Sequence, residues 1–300
     1  MSLPKDVLEK YRNAGQIAKE VREEMKRFVR EGQSIHEVCE KAEGLICEKD
    51  ARPAFPCNVS VNEIAAHFTS PPNDDRAIPP RSLVKVDVGV HLEGYIADTA
   101  VTICFNPEYE NLVSTAEEAL KVAVDTIRDG ISTSQLGSAI QKTIETYGCK
   151  PISNLTGHKI GRYLIHTGKS IPNVSHLVGS KLKDGEVIAI EPFVTVANAA
   201  GKVKDCEEAT IFRFVKRKSL KNSHAKRLLS FIENNFKTLP FSERWLMGVV
   251  PKEHHLVAFH EVVNSKCLAA YPVFVEASGN PVAQAEHTVL VMKNRCEVLT

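Results

Sequence analysis

Two aspartates inside an apolar hairpin constrain this chain more than any other feature. Residues 84–100, VKVDVGVHLEGYIADTA, carry apolar residues on both sides of a turn near His91–Gly94, as two antiparallel strands would. Asp87 and Asp98 interrupt that apolar pattern. A loop with an even residue count leaves two registers open. One sets Asp87 directly opposite Asp98; the other sets Asp98 opposite Gly89, with Asp87 as its diagonal neighbour. Side chains alternate faces along a strand, so both registers put the two carboxylates on one face. The nearer register would hold their Cβ atoms about 5 Å apart. Carboxylates that close repel, and when buried either one takes up a proton or a cation sits between them. A solvated face would tolerate both charges, so a cation there requires further ligands from elsewhere in the chain.

Candidates exist. Glu191 in VIAIEPFV and Glu286 in VAQAEHTVLV are each a single acid inside an apolar strand, which is costly unless the acid is paired or coordinated. His158 sits in NLTGHKIG, an irregular segment flanked by glycines. Each alone reads as a strand-edge residue, half of an ion pair, or a hydrogen-bonded loop histidine. Together Asp87, Asp98, His158, Glu191 and Glu286 offer four acids and one imidazole, a donor set suited to Mn²⁺, Fe²⁺, Co²⁺ or Zn²⁺. Four carboxylates exceed what one zinc ion normally takes, whereas two ions sharing bridging carboxylates balance the charge.

The chain around these residues has an α+β organisation. Three hundred residues suit one large domain or two small ones. A net charge of +1 argues against bulk attraction to nucleic acid or to a membrane. The eight cysteines form no CxxC pair, so reduced thiols are expected rather than a zinc ribbon or a disulfide framework. The first residues have no apolar signal core, and no run approaches the roughly 20 apolar residues of a membrane helix. A cytoplasmic location follows as the expectation. Amphipathic helices are expected at residues 4–31 and 34–49, the second with Ser34 as N-cap and Glu37 three residues on. Two more are expected at 108–130, ending at Gly130, and at 132–148, capped by Ser132 or Ser134. A strand is expected in CNVSVN, one strand in GEVIAIEPFVTV, and strand, Gly-Asn-Pro turn, strand in residues 271–292. Residues 213–227, RFVKRKSLKNSHAKR, hold seven Lys or Arg and no acid, which reads first as a solvated face and only second as an RNA contact. Helical periods in KRLLSFIENNF, SERWLMGVV and HLVAFHEVV mark residues 213–264 as a helical insertion.

Five blocks, AFPCNVSVNEIAAHFTS, KVDVGVHLEGYIADTA, NLTGHKIGRYLIHTG, IAIEPFVT and AQAEHTVLV, resemble in order those of the type 2 methionine aminopeptidases, in the short form typical of archaea. The resemblance runs from the first helix to the C-terminus, and an insertion between the two Glu-bearing strands is a mark of type 2. It implies the pita-bread fold: two pseudo-symmetric α+β halves whose antiparallel sheets cradle two metal ions. Residues 1–212 and 265–300 would form that catalytic domain and residues 213–264 the insertion. By the resemblance Asp87 chelates one ion, Asp98 and Glu286 bridge both, and His158 and Glu191 complete the second. The implied reaction removes the initiator methionine from nascent chains whose second residue is small. Two ions would lower the pKa of a shared water, and Glu191 would carry its proton to the leaving amine. His67 would contact the carbonyl oxygen or the substrate amide, and His166 the substrate and the developing oxyanion. Phe55, Ile165, Phe193 and Tyr271 match the residues lining the methionine pocket, although by pattern alone they are equally ordinary core. Ala285 stands where the motif commonly carries phenylalanine, so that either the pocket is enlarged or a neighbour fills the space.

Two alternatives remain. An X-Pro aminopeptidase or proline dipeptidase uses similar ligands but usually has an extra N-terminal domain, for which residues 1–50 are too short. A non-catalytic relative that binds RNA or ribosomes would show eroded ligands. Ribosome contact through residues 213–227 stays open as an added role, and a monomer is expected.

Overall fold

Helix α1 (Lys5–Phe28) forms where apolar residues recur at three- and four-residue steps, and Tyr11, Ala14, Ala18, Val21 and Met25 are buried along that stripe. The computed structural model describes residues 3–300. Helix α2 (Ile35–Cys47) buries Val38, Ala42 and Ile46 in the same way. Ser34 occupies its N-cap, but the hydroxyl makes no capping hydrogen bond, so the box anticipated with Glu37 does not close. The helix start is pinned by backbone instead: Ser34 bridges to Ala77, and Ile35 N donates to Arg76 O at 3.0 Å.

Both helices cover one face of a sheet built from β1 (Arg52–Pro53), β2 (Asn58–Val61), β4 (Leu83–Leu92) and β5 (Tyr95–Cys104). The intervening β3 (Ile64–Ala66) joins a different sheet. The β4–β5 hairpin turns at Glu93 and Gly94, with φ of 51° and 89°. Two successive residues with positive φ make the tight turn whose twist matches that of the strands. This turn fixes the wider of the two registers, with Gly89 opposite Asp98 and Ala100 opposite Asp87.

The second half repeats the plan of two helices followed by sheet. Helix α3 (Glu110–Thr126) stops four residues short of Gly130. Ile127 turns extended and is fully buried, so the anchoring of an apolar side chain ends the helix before the glycine is reached. Helix α4 (Thr133–Thr146) opens with a complete capping box, in which Ser134 N donates to Ser132 Oγ at 3.2 Å and Ser132 N to Gln135 Oε1 at 3.1 Å. Strands β6 (Cys149–Pro151), β7 (Thr156–Lys159), β8 (Ser170–Pro172), β9 (Val187–Ile190) and β10 (Phe193–Val196) follow. The run GEVIAIEPFVTV is therefore two strands and not one. Pro192 has no N–H to give to a ladder, and the chain switches sheets at Glu191–Pro192.

Strand β11 (Val203–Phe214) leads into α5 (Ser223–Phe236), β12 (Pro240–Ser242), α6 (Lys252–Asn264) and β13 (Leu268–Glu276). SERWLMGVV forms only a 3₁₀ turn, Glu243–Leu246, before Gly248 adopts φ of 85°. These elements bury their own core of Leu228, Ile232, Phe241, Phe259 and Val262. They attach through the sheet β12-β11-β13-β3. The chain returns as β14 (Val282–Gln284), β15 (His287–Val291) and β16 (Cys296–Val298). β13 and β14 follow one another as expected, yet they enter different sheets. Helices α1 and α2 back one half and α3 and α4 the other, with the sheets facing between them, which is the pita-bread arrangement.

Candidate metal centre

The hairpin register sets the first two acids. Asp87 and Asp98 share a face as diagonal neighbours, with Gly89 opposite Asp98. A Cβ on Gly89 would collide with the Phe55 ring, so the glycine is what lets that ring lie against the acid-bearing face.

The two glutamates occupy matching breaks. β9 pairs with β15 and β10 with β14, and the register is the same on both sides of the gap: Ile190 pairs with His287, and Phe193 with Gln284. Glu191 and Glu286 are the facing residues where the ladder is interrupted. Both were expected inside strands; both lie between strands, where the side chain is freed from strict alternation. His158 on β7 pairs with Ala189 and points its Nε2 at the acids, 3.5 Å from Asp98 Oδ2 and 3.5 Å from Glu191 Oε1. One ligand atom each from Asp98, His158 and Glu286 lies within 4.8 Å of the other two.

These charges face one another with little compensation. Burial, together with the neighbouring acids, raises Asp87, Glu191 and Glu286 well above the usual carboxylate range. Burial pushes Asp98 up to about 7. The same burial pushes His158 down to about 4, so it faces the acids as a neutral imidazole and not as a counter-charge. Asp87 Oδ1, Asp98 Oδ1 and His158 Nδ1 are buried without a hydrogen-bond partner. Unpartnered buried oxygens on two of the converging carboxylates are expensive, and divalent cations are what such a hard O and N donor set fits.

The five donors line a cavity of about 390 Å³, which also takes in His67, His166, Phe55, Ile165, Phe193 and Tyr271. The eleven residues read from the sequence as ligands, histidines of the site or pocket walls thus come together. His67 follows β3 with φ of 65°, a conformation few residues other than glycine adopt, and its ring lies 4.4 Å from that of Phe274 and 5.5 Å from that of Tyr271. Burial pushes it down to about 4, and its Nδ1 is unpartnered. His166 stands edge-on to His158 with ring centres 4.3 Å apart. Burial, then the neighbouring His158 and Arg213, push it down to about 3.

Ala285 departs from expectation. It does not line this cavity but a second one of about 360 Å³ on the helix side, with Arg22, Leu120 and Val124. The small side chain therefore leaves the shape of the first cavity alone.

Two residues escaped the sequence reading. Asn58 pairs directly with Asp87 across β2–β4, and its Oδ1 is buried and unpartnered in the cavity. Nothing local distinguishes it from any polar residue in a short strand. Gln284 donates from Nε2 to Glu286 Oε2 at 3.2 Å. The two-residue spacing in AQAEHT was the available signal.

Among known proteins, the chain matches Metallopeptidase family M24 over residues 9–292. It is 41% identical over 297 residues to a methionine aminopeptidase of Methanothermobacter thermautotrophicus, covering 98% of this chain and 99% of that one. It is 42% identical over 288 residues to a methionine aminopeptidase of Thermococcus onnurineus, covering 96% and 97%. Among solved structures it resembles a thermophilic Arx1, with a TM-score of 0.83 at 22% identity, over 99% of this chain and 91% of that one. A methionine aminopeptidase from Thermotoga maritima follows with a TM-score of 0.73 at 22% identity, covering 100% and 98%. A prolidase from Pyrococcus furiosus gives a TM-score of 0.63 at 20% identity, and only 64% of that longer chain is covered.

Proposed function

We propose that this chain, which belongs to metallopeptidase family M24, is a methionine aminopeptidase that removes the initiator methionine from nascent chains with a small second residue. The observation that carries the reading is the convergence of Asp87, Asp98, His158, Glu191 and Glu286 on one cavity, with buried oxygens of Asp87 and Asp98 left unpartnered. These five, Asp87, Asp98, His158, Glu191 and Glu286, would hold the divalent ions. Manganese, iron, cobalt or zinc suits the donors. Ions so held supply Lewis acidity and an activated water at neutral pH.

The remaining work falls to the chain. Glu191 is half-buried and holds a proton readily, which suits it to receive the proton of the attacking water and return it to the leaving amine. His67 and His166 are neutral imidazoles, and each offers an N–H toward the scissile carbonyl and the charge that develops on it. Phe55, Ile165, Phe193 and Tyr271 wall the cavity with apolar and aromatic surface that suits a flexible thioether. The free N-terminal amine of a substrate would be held by this donor cluster or by an ion in it, which makes the reaction an exopeptidase cleavage.

The dipeptidase alternative is not favoured, since the relatives matched at about 41% identity over nearly the whole chain are methionine aminopeptidases. Hydrolysis of Met-Ala set against Ala-Pro tests it: cleavage of Ala-Pro in preference would reverse the assignment. Nascent chains are met in the cytoplasm, and we place the enzyme there. Residues 213–264 act as an inserted unit with their own core. Its exposed segment Lys216–Lys218 is the part that could touch a ribosome.

A further inference from the structure

We propose that Arg22, on the far side of the sheet from the cavity, is a positioning residue for the metal centre, holding Asp98 and Glu286 in place through Thr99 and His287. The inference rests on the metal reading above and deepens it.

Asp98 and Glu286 come from different halves and different sheets. Asp98 lies on β5, in the sheet of β4; Glu286 immediately precedes β15, in the sheet of β9. No regular ladder runs between β5 and β15, and the backbone supplies a single long bond near the ligands, Glu286 N to Ala100 O at 3.3 Å. Side chains make the rest of the seam. Thr99 Oγ1 donates to Glu286 O at 2.8 Å. Thr288 Oγ1 donates to Asp98 O and accepts from Asp98 N, each at 2.8 Å. The spacing of the two ligands is thus set by hydroxyl groups bound across the seam.

Arg22 holds both sides of that seam. Its Nη1 donates to Thr99 Oγ1 at 2.7 Å and lies 3.0 Å from His287 Nδ1. A guanidinium only donates, so Nδ1 is the acceptor and a neutral His287 carries its proton on Nε2. Thr99 follows Asp98 in the chain, and His287 follows Glu286. Arg22 is only 8% exposed; its Nε and Nη2 donate to the partly exposed Glu23 at 3.3 and 3.1 Å, which leaves Nη1 for Thr99 and His287. Both contacts use Nη1, and the planar guanidinium, held at Nε and Nη2 by Glu23, fixes the direction in which Nη1 points.

The test uses the full chain stripped of metal and titrated with Mn²⁺, read by calorimetry and by the electron paramagnetic resonance of spin-coupled manganese pairs. Arg22→Met and Thr99→Val should each weaken the second ion by about 10- to 100-fold, the range for losing an outer partner of a ligand. They should also reduce the spin-coupled signal. The double variant should lose no more than the worse single one, because both remove one unit. Thr99→Ser, which keeps the hydroxyl, should restore wild-type binding. Should Arg22→Met fail to fold, the Thr99→Val and Thr99→Ser pair carries the test. Variants that melt earlier yet bind Mn²⁺ as the wild type does would reduce Arg22 to a structural role and overturn the proposal. A wild-type chain that binds no Mn²⁺ would overturn the metal reading itself, and the Arg22 role with it.

Discussion

Glu191 faces Glu286 across an interruption in a ladder whose register is otherwise unbroken, with Ile190 on His287 at one side and Phe193 on Gln284 at the other. Two opposed acids in a sheet interior are destabilising on their own. Here Asp87 and Asp98 add to them. The cluster stores repulsion that bound cations would relieve.

Glu286→Gln should therefore act in opposite directions in the two states. Without metal, removing one buried acid relieves its neighbours, and the melting temperature should rise by about 2–4 °C, equivalent to roughly 1 kcal/mol in a chain of this size. With Mn²⁺ or Co²⁺ added, the variant should gain less stability than the wild type, because ligand binding stabilises in proportion to affinity. Calorimetric melts with and without chelator measure both. A variant less stable than the wild type under both conditions would argue that the acids are not in mutual repulsion.

Gly89→Ala tests the wall of the cavity. The new methyl group meets the Phe55 ring, which must swing away from the face of Asp98. Overpacking of this kind costs about 1–3 kcal/mol. If Phe55 walls the side-chain slot as proposed, KM for methionyl peptides should rise more than kcat falls. Unchanged kinetics together with unchanged urea stability would contradict the placement of Phe55.

The hairpin turn should be acid-labile. Gly94 N donates to His91 Nδ1 at 3.1 Å, so the imidazole must be neutral there. Burial, with Arg52 and Lys237 nearby, pushes His91 from 6.5 down to about 4. The folded pKa lies below the unfolded one, so the unfolded chain binds the proton first. Stability is complete above pH 6.5 and falls as the pH drops toward 4, by about 2 kcal/mol between pH 6.5 and pH 5. His91→Asn, which keeps an acceptor but does not titrate, should flatten that slope in urea unfolding at a series of pH values. Parallel slopes for the two proteins would remove His91 as the cause.

Much of the site could be read in advance because its signals were local. An acid in an apolar run is conspicuous, and Asp87, Asp98, Glu191 and Glu286 all announced themselves that way. What stayed hidden depends on contacts between distant segments. GEVIAIEPFVTV is apolar throughout, so alternation could not reveal that it divides between two sheets; Pro192 was the only cue. The hairpin register is decided by the Glu93–Gly94 turn, which the apolar alternation does not fix. Asn58 matters because β2 pairs with β4 in one register, and Arg22 because α1 meets residues 77 and 265 positions away. SERWLMGVV has a helical period but too little length before Gly248 and Pro251 to use it.

Neutralising Lys216, Arg217 and Lys218 tests the added role for the insertion. Arg217 pairs with Glu233, while the lysines at 216 and 218 form no ion pair among the described residues. If the segment touches ribosomes, the triple variant should lose salt-sensitive co-sedimentation and keep its peptidase activity. Unchanged sedimentation would reject the contact.

The most direct measurement is hydrolysis of Met-Ala-Ser by chelator-treated protein as Co²⁺ or Mn²⁺ is added back under anaerobic conditions, for the wild type and for Asp98→Ala. The five-donor centre predicts no turnover without metal, recovery in the wild type as its ions rebind, and no recovery in Asp98→Ala although its circular dichroism is unchanged. Turnover by the metal-free wild type, or near-normal turnover by reconstituted Asp98→Ala, would contradict it.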